Sequence, residues 1–368
     1  MTAIQMIRFH ARNKKEGMVE VELADDESFL LQLHPSPSPH VSNMKLTSMV
    51  INSLESSPDQ KQQENDAVSK WFADNIDSNL QYKQLEVCSV DKVSPSDNKE
   101  PRQIPNVCFA KVDPTPIPSA VLIGHSEDCL SECLNLDISD HPDSAEIMAI
   151  LVRITSGDIA AIRQYLPQCT PYCHRYAGHQ FGHFAGQLGD GRAISLGTVR
   201  GFELQLKGSG MTPFSRFGDG RAVLFSSIRE FLASEAMHHL GISSTRGAVL
   251  VGSHQFEVLR ERVPEPTAIL LRLSRGFIRF GSFETCLVDD EVGHLRGFID
   301  YVIDTHFDQI DGDDDAGKYE HFWSEIVERT VKTAVQWKAV GFVHGVLNTD
   351  NMSILGETMD YGPYGVSW

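Results

Sequence analysis

The sequence predicts an α+β fold, and its patterning supplies the reasons. Apolar residues alternate with polar ones over Phe202 to Lys207, as in a strand, whereas from Val223 to Leu240 they recur with a helical period. Glycine turns separate the two kinds of segment. With 368 residues, 41% of them hydrophobic, the chain can bury one large core or two smaller ones without disulfides. Its 32 basic residues against 50 acidic ones give a formal charge of −18, which excludes nucleic acid and anionic membranes as partners of the overall field but leaves room for a local basic pocket. No apolar run of about 18 residues is present, so no membrane span is expected. The 7 cysteines are an odd count and too sparse for a disulfide scaffold, which favours a reducing compartment.

Taken in order, the first residues, MTAIQMIRFHARNKKE, carry Arg8, Arg12, Lys14 and Lys15 before any acid. That is the pattern of a mitochondrial transit peptide, so a mitochondrial location is expected, with the cytoplasm as the alternative. From Pro35 to about Asn98 short apolar patches alternate with polar stretches, and residues 1–100 are expected to form an extension and linker of low order. The compact domain is expected over 101–368, where apolar runs broken by prolines begin.

Between Tyr176 and Gly208 the spacing predicts a three-stranded meander, with Gly189-Asp190-Gly191 at the first turn and Arg200-Gly201 at the second. In the third strand Phe202, Leu204 and Leu206 lie on one face, so Lys207 points away from that core. The following helix places Glu230 in one stripe with Val223, Ser227 and Ser234, Asp219 is the expected cap and Gly241 the expected end. Apolar segments at 248–252 and 268–280 read as strands. Phe322, Ile326, Val327, Val331, Ala334 and Val335 predict a later helix buried along that face.

A glycine turn, a strand, a lysine on the next strand and a glutamate on the following helix is the element order of a kinase N-lobe. Backbone N–H groups of glycine can approach phosphates closely, while a lysine held by a helical carboxylate neutralises their charge. Each feature alone is ordinary, a hairpin or a surface charge; their order carries the reading. Towards the C-terminus, HGVLNTDN and MDYG place Asp350, Asn351 and Asp360 on loops around a short apolar segment. Hard oxygen donors of this kind suit Mg²⁺ with phosphate and water, although Asn348 to Asn351 also reads as an Asx-rich turn. Asp350 and Asn351 are adjacent, not five residues apart, so an ordinary protein kinase is a poor fit.

The strings YAGHQFGHFAGQLGDGRA, ELQLKGSGMTPFSRFGDGRAVLFSSIREFLASEAM, RFGSFE and GFVHGVLNTDNMSILGETMDYGPYG closely resemble the selenoprotein O family from about Pro101 to Trp368. The resemblance implies a protein-kinase-like two-lobed fold, ATP bound in a flipped orientation with Mg²⁺, and transfer of AMP to Ser, Thr or Tyr hydroxyls of protein substrates. By motif it implies nucleotide contacts from Gly189, Gly191, Arg192, Lys207, Asp219, Gly220 and Asp360, and a phosphate-binding pair in Arg272 and Arg279. Those arginines are seven apart, so they converge only if the strand breaks, and Gly276 offers the break. Asp350 then matches the general base, Lys207 and Glu230 the catalytic ion pair, and Asn351 and Asp360 the metal ligands. Relative to the family the chain stops early, so the C-lobe is expected to be incomplete. The competing functions are a protein kinase transferring the γ-phosphoryl group and a non-catalytic nucleotide-binding module.

Other constellations carry less. Cys129 with Cys133, and Cys169 with Cys173 and His174, are spaced too widely for a usual zinc site. His179 and His183 share a face with no third ligand in view. The acids from Asp308 to Asp315 lack the terminal glutamate of a calcium loop and read as a solvated loop.

Overall fold

The computed structural model describes residues 8–9, 18–22, 28–32, 68–138, 141–288, 292–310 and 315–366. Its central feature is a mixed sheet in the order Val90–Asp91, Phe109–Lys111, Tyr172–His174, Ala193–Val199, Phe202–Lys207, Val263–Ser274, Arg246–Arg260, Val121–His125. Neighbours are antiparallel except the first two, which are parallel, and Ala222–Val223 joins the free end of Val263–Ser274.

The alternation in Phe202–Lys207 sorts the two faces as its period requires. Leu204 and Leu206 meet Val249, Val251, Leu271 and Leu273 in the main core, which the helices Glu127–Leu134, Ser144–Thr155 and Ile159–Tyr165 cover. Glu203, Gln205 and Lys207 take the other face, opposite Ser274, Arg272 and Leu270 of the neighbouring strand. Against that face packs the helix Leu224–His239, whose Phe231 contacts Leu250, Ala268 and Leu270. A second apolar cluster joins Phe109, Tyr172 and Ile278 to Phe298, Val302 and Phe307 of the helical part and to Ile354 and Leu355.

Several expectations change. Residues 68–98 belong to the folded body: Val68, Phe72 and Ile76 are buried in the main core. Their spacing of four is a helical stripe hidden in polar surroundings, which composition alone misreads as linker. Expectations on residues 35–67, and on residues 1–16 apart from the strand Arg8–Phe9, lie outside the described residues. The described strands Arg8–Phe9, Met18–Glu22 and Ser28–Gln32 pair antiparallel.

The meander keeps its Arg200-Gly201 turn, with both residues at positive φ, and loses its first strand. Ala193–Val199 pairs instead with Tyr172–His174, while His179–Gln180 and His183–Phe184 form a small separate hairpin. The strand Ala222–Val223 separates Asp219 from the helix Leu224–His239, so Val223, without a side-chain cap bond, takes the N-cap position and Asp219 is instead engaged by Arg260. Gly241 follows the end of that helix at φ +76°, as expected of a left-handed terminator. On the helix Asp315–Ala339, Phe322, Ile326 and Thr333 face inward, whereas Val327, Val331 and Val335 join Trp323 on an exposed stripe. The apolar positions span two faces of that helix, and only one finds a partner among the described residues. No described helix is long and apolar enough to cross a membrane.

Candidate active site

The polar face of the sheet ends in a cleft of about 850 Å³ between the strands, the helix Leu224–His239 and the segment 346–363. Lys207, last in its strand, is drawn inward: its Nζ donates to Glu230 Oε2 at 2.6 Å and to Asp360 Oδ1 at 2.8 Å. Arg272 Nη1 donates to the same Asp360 oxygen at 2.8 Å and to Glu230 Oε1 at 2.9 Å. Arg279 Nη1 donates to Asp360 Oδ2. The strand ends at Ser274, and through Gly276 the chain turns so that both arginines reach one carboxylate. A Cβ at Gly276 would lie 3.0 Å from the His306 ring, so a side chain there would require that ring to shift.

Three cations therefore share Asp360, which sits at φ +58°, a left-handed region that aspartate tolerates better than most residues other than glycine. Burial pushes the Asp360 carboxyl up, but Arg279, Lys207 and Arg272 together outweigh it and hold the group well below the usual carboxylate range. Burial pulls the Lys207 ammonium down further than Asp360 and Glu230 restore it. For Arg272 and Arg279 the nearby carboxylates win over burial, and both are held above the ordinary guanidinium value.

Asp350 lies beside this cluster on the short 3₁₀ turn Thr349–Asn351. Its carbonyl accepts from Arg279 Nη1 at 2.5 Å, and its Oδ2 accepts from Gln180 Nε2 at 2.7 Å. Asp350 Oδ1 and Arg279 Nε are buried without a hydrogen-bond partner. Burial raises the Asp350 carboxyl, with the Gln180 bond opposing it. Asn351 Nδ2 donates to the Val346 carbonyl at 2.8 Å, which leaves its Oδ1 as the amide atom available to a cation. The loop is pinned to the strand exit by Phe280 N donating to Met352 O and Ile354 N to Ile278 O, at 3.0 and 3.1 Å.

The structure thus brings Gly189, Gly191, Arg192, Lys207, Asp219, Gly220, Glu230, Arg272, Arg279, Asn351 and Asp360 to one cleft, with Asp350 adjoining through Gln180 and Arg279. Their individual positions differ from simple expectation. Gly189, at φ +97°, is a glycine because a Cβ would meet the Phe214 ring at 2.6 Å, and at Gly220 it would strike Gly210 backbone at 2.2 Å. These contacts account for both glycines by loop packing without a ligand. Asp219 is held by Arg260 Nη1 at 2.7 Å and by the Arg221 N–H at 2.9 Å. Asp360 already accepts from three cationic donors, two on Oδ1 and one on Oδ2, so a divalent ion there would have to share the carboxylate with them. Among the described residues no three His, Cys, Asp or Glu side chains form a metal group.

Sequence reasoning passed over Asp190, Gln180 and Gln205. Gln205 Oε1 accepts from Arg272 Nε and Nη2 at 3.0 and 2.6 Å, fixing the guanidinium plane, and its Nε2 donates to Asp190 Oδ2 at 3.2 Å. Asp190 Oδ1 stands 3.7 Å from Arg279. Gln205 was within reach, because the period that orients Lys207 puts residue 205 on the same face; Gln180 comes from a distant hairpin that no spacing reveals.

A family profile described as protein adenylyltransferase SelO matches residues 99–366. Similar relatives include the protein nucleotidyltransferase YdiU of Thiobacillus denitrificans, 47% identical over 270 residues, covering 72% of this chain and 52% of the relative. That of Aromatoleum aromaticum is 44% identical over 289 residues, 74% of this chain and 52% of the relative. That of Nitrosospira multiformis is 44% identical over 283 residues, 74% and 48%. The chain spans about half the length of the curated relatives it matches.

Proposed function

This chain belongs to the protein adenylyltransferase SelO family, and from that membership we propose that it has the kinase-like two-lobed arrangement and transfers AMP from ATP to Ser, Thr or Tyr hydroxyls of protein substrates. The observation that carries the reading is the convergence of Lys207, Arg272 and Arg279 at the floor of the cleft, beside Asp350. A triphosphate offers these cations the negative charge that Asp360 and Glu230 otherwise supply, and its chelating oxygens suit the bidentate forks of the arginines. Arg279 Nε, buried without a partner, is a further donor for a phosphate oxygen.

In this reading the terminal phosphates occupy the buried arginine pair and the α-phosphate faces outward to Asp350, which is the flipped orientation. The acceptor hydroxyl attacks the α-phosphorus, the bond to the β-bridging oxygen breaks, pyrophosphate leaves, and Asp350 takes the hydroxyl proton. Arg272, Arg279 and Lys207 stabilise the departing pyrophosphate, while Glu230 and Gln205 keep Lys207 and Arg272 aimed. Mg²⁺ fits the donor set at Asn351 Oδ1 and one Asp360 oxygen once a cation has moved to phosphate, and would supply charge neutralisation across the phosphates.

Incubation with ATP labelled at the α- or the γ-phosphate tests the proposal. Label entering protein from the α position alone is expected. Transfer from γ alone would replace this reading with a kinase, and binding without transfer of either label would leave a nucleotide-binding module.

A further inference from the structure

The small hairpin of His179–Gln180 and His183–Phe184 stands apart from the main sheet, and its turn is unusual. Gln180 pairs with His183, so Phe181 and Gly182 form a two-residue loop, with φ of +51° and +79°. Positive φ at both positions is the type I′ form, which asparagine followed by glycine adopts with least strain. Gly182 suits it, whereas a bulky side chain at the first position carries a steric cost. Packing does not offset that cost, because the Phe181 side chain is 91% exposed. The fold thus holds an aromatic ring in water on a backbone that disfavours it.

The base of the hairpin is fastened to the turn that carries Asp350. Gln180 Nε2 donates to Asp350 Oδ2 at 2.7 Å, and His179 N donates to Thr349 Oγ1 at 2.7 Å. Glu284 meets both His179 Nδ1 and Thr349 Oγ1 at 3.0 Å. Just before the hairpin, a Cβ at Gly178 would lie 2.7 Å from Asp350 Oδ1, so only a bare backbone comes this close without a shift. Phe181 is therefore one residue from the side chain that touches the proposed general base, and it lines the same cleft. Phe184 on the return strand is also exposed, its ring 5.0 Å from that of His179. Phe217, wholly exposed, lines the cleft from another loop, next to Arg216 at φ +53°.

We propose that the hairpin tip at Phe181 is the apolar anchor for the acceptor protein, which presents an extended segment with a large apolar side chain beside the hydroxyl residue. This inference rests on the adenylyl transfer proposed above and names the acceptor class for that same cleft. An extended acceptor advances about 3.3 Å per residue, the same step as the hairpin strand, so with its hydroxyl at Asp350 beside Gln180 it brings a neighbouring side chain to Phe181. Exposed rings on two loops offer more apolar surface than one purine base covers, which favours a peptide over stacking of the nucleotide alone.

The test uses two fluorescein-labelled peptides, a serine flanked on both sides by phenylalanine and the same peptide flanked by glycine. Anisotropy reads their binding to the intact chain, calorimetry reads ATP binding, and α-labelled ATP reads transfer. The phenylalanine-flanked peptide should bind about tenfold more tightly. Phe181→Asn, which relieves the turn, should melt no lower than the parent, bind ATP as the parent does and lose that preference. Phe225→Ser removes a phenylalanine that is exposed on the helix Leu224–His239 and does not line the cleft, and should keep it. Equal binding of the two peptides, or a preference that survives in Phe181→Asn, would overturn the inference. Weaker ATP binding in Phe181→Asn with the preference intact would also overturn it and assign the ring to the base. Failure of label to enter either peptide would refute the proposed reaction, while a preference lost with Phe181 would still place an apolar peptide segment at this hairpin.

Discussion

Removing the Asp360 carboxylate should destabilise the protein before it affects any reaction. Asp360 Oδ1 accepts from Lys207 and Arg272, both at 2.8 Å, and Oδ2 accepts from Arg279. In Asp360→Ala, Lys207 and Arg272 keep Glu230, whereas the closest carboxylate left to Arg279 is Asp190 at 3.7 Å. Stranding a buried cation in this way costs about 3 to 5 kcal/mol. The lower end applies, because the Asp360 side chain is 17% exposed to the cleft and water there screens part of the loss. At about 2 to 4 °C per kcal/mol, a loss of about 3 kcal/mol lowers the melting temperature by roughly 6 to 12 °C. Differential scanning fluorimetry at low ionic strength measures it, with Asp360→Asn expected between the two because the amide oxygen still accepts. Pyrophosphate added without metal should recover part of the loss in Asp360→Ala and shift the parent less, since in the variant Arg279 has lost its close carboxylate. A variant melting within about 2 °C of the parent would refute the view that this carboxylate holds the cations in place.

Lys207→Ala should keep its fold, because Glu230 and Asp360 retain Arg272, and should lose most nucleotide turnover in the labelled-ATP assay; undiminished turnover would remove Lys207 from the site. Glu357 is raised to about 7 by burial, against bonds from Ser274 and Arg275 that lower it. The folded protein therefore holds a proton that the unfolded chain releases near the normal glutamate value, and stability falls as pH rises from about 4.5 to about 7, then levels. Glu357→Gln should flatten that window in melts at pH 5 and pH 8, and an unchanged slope would assign the dependence to other groups. Val331→Lys with Val335→Lys, both on the exposed stripe, should leave the melting temperature unchanged and reduce concentration-dependent light scattering; a large loss of stability would show that the stripe is packed in solution.

The parts of the fold legible in the sequence were those governed by local periodicity. Period two oriented Lys207, and the helical repeat around Glu230 gave a helix whose Ser227, Glu230 and Ser234 are buried. The break at Gly276 resolved the odd separation of Arg272 and Arg279. Less legible was anything that depends on what an apolar residue meets. Val68, Phe72 and Ile76 are as regularly spaced as any core helix yet sit among lysines and acids. Val327, Val331 and Val335 carry the same signal and lie exposed. Periodicity reports that a helix has an apolar side; it does not report whether another element covers it. The choice of Tyr172–His174 over residues 176–188 as the neighbour of Ala193–Val199 likewise rests on long-range pairing.

The same distinction explains why residue type selected side chains that share one cleft yet misjudged their resting state. A motif places Asp360 among metal ligands and says nothing of the charges around it. Lys207, Arg272 and Arg279 cannot be left together in a buried floor without anions, because the lysine would be driven to shed its proton and the guanidiniums, which stay charged, to move into water. The fold supplies Glu230 and Asp360 as counter-ions, and Gln205 and Asp190 as neutral and acidic props behind them. Those anions keep the cations charged, desolvated and aimed into the cleft, which is what the proposed polyphosphate ligand requires. On the proposed function, binding becomes an exchange of partners in which phosphate oxygens replace carboxylate oxygens. It requires Asp360 to give up at least one cation, so the strength of its three contacts sets a cost that only a strongly anionic ligand offsets, and a neutral nucleoside should bind far more weakly than its triphosphate.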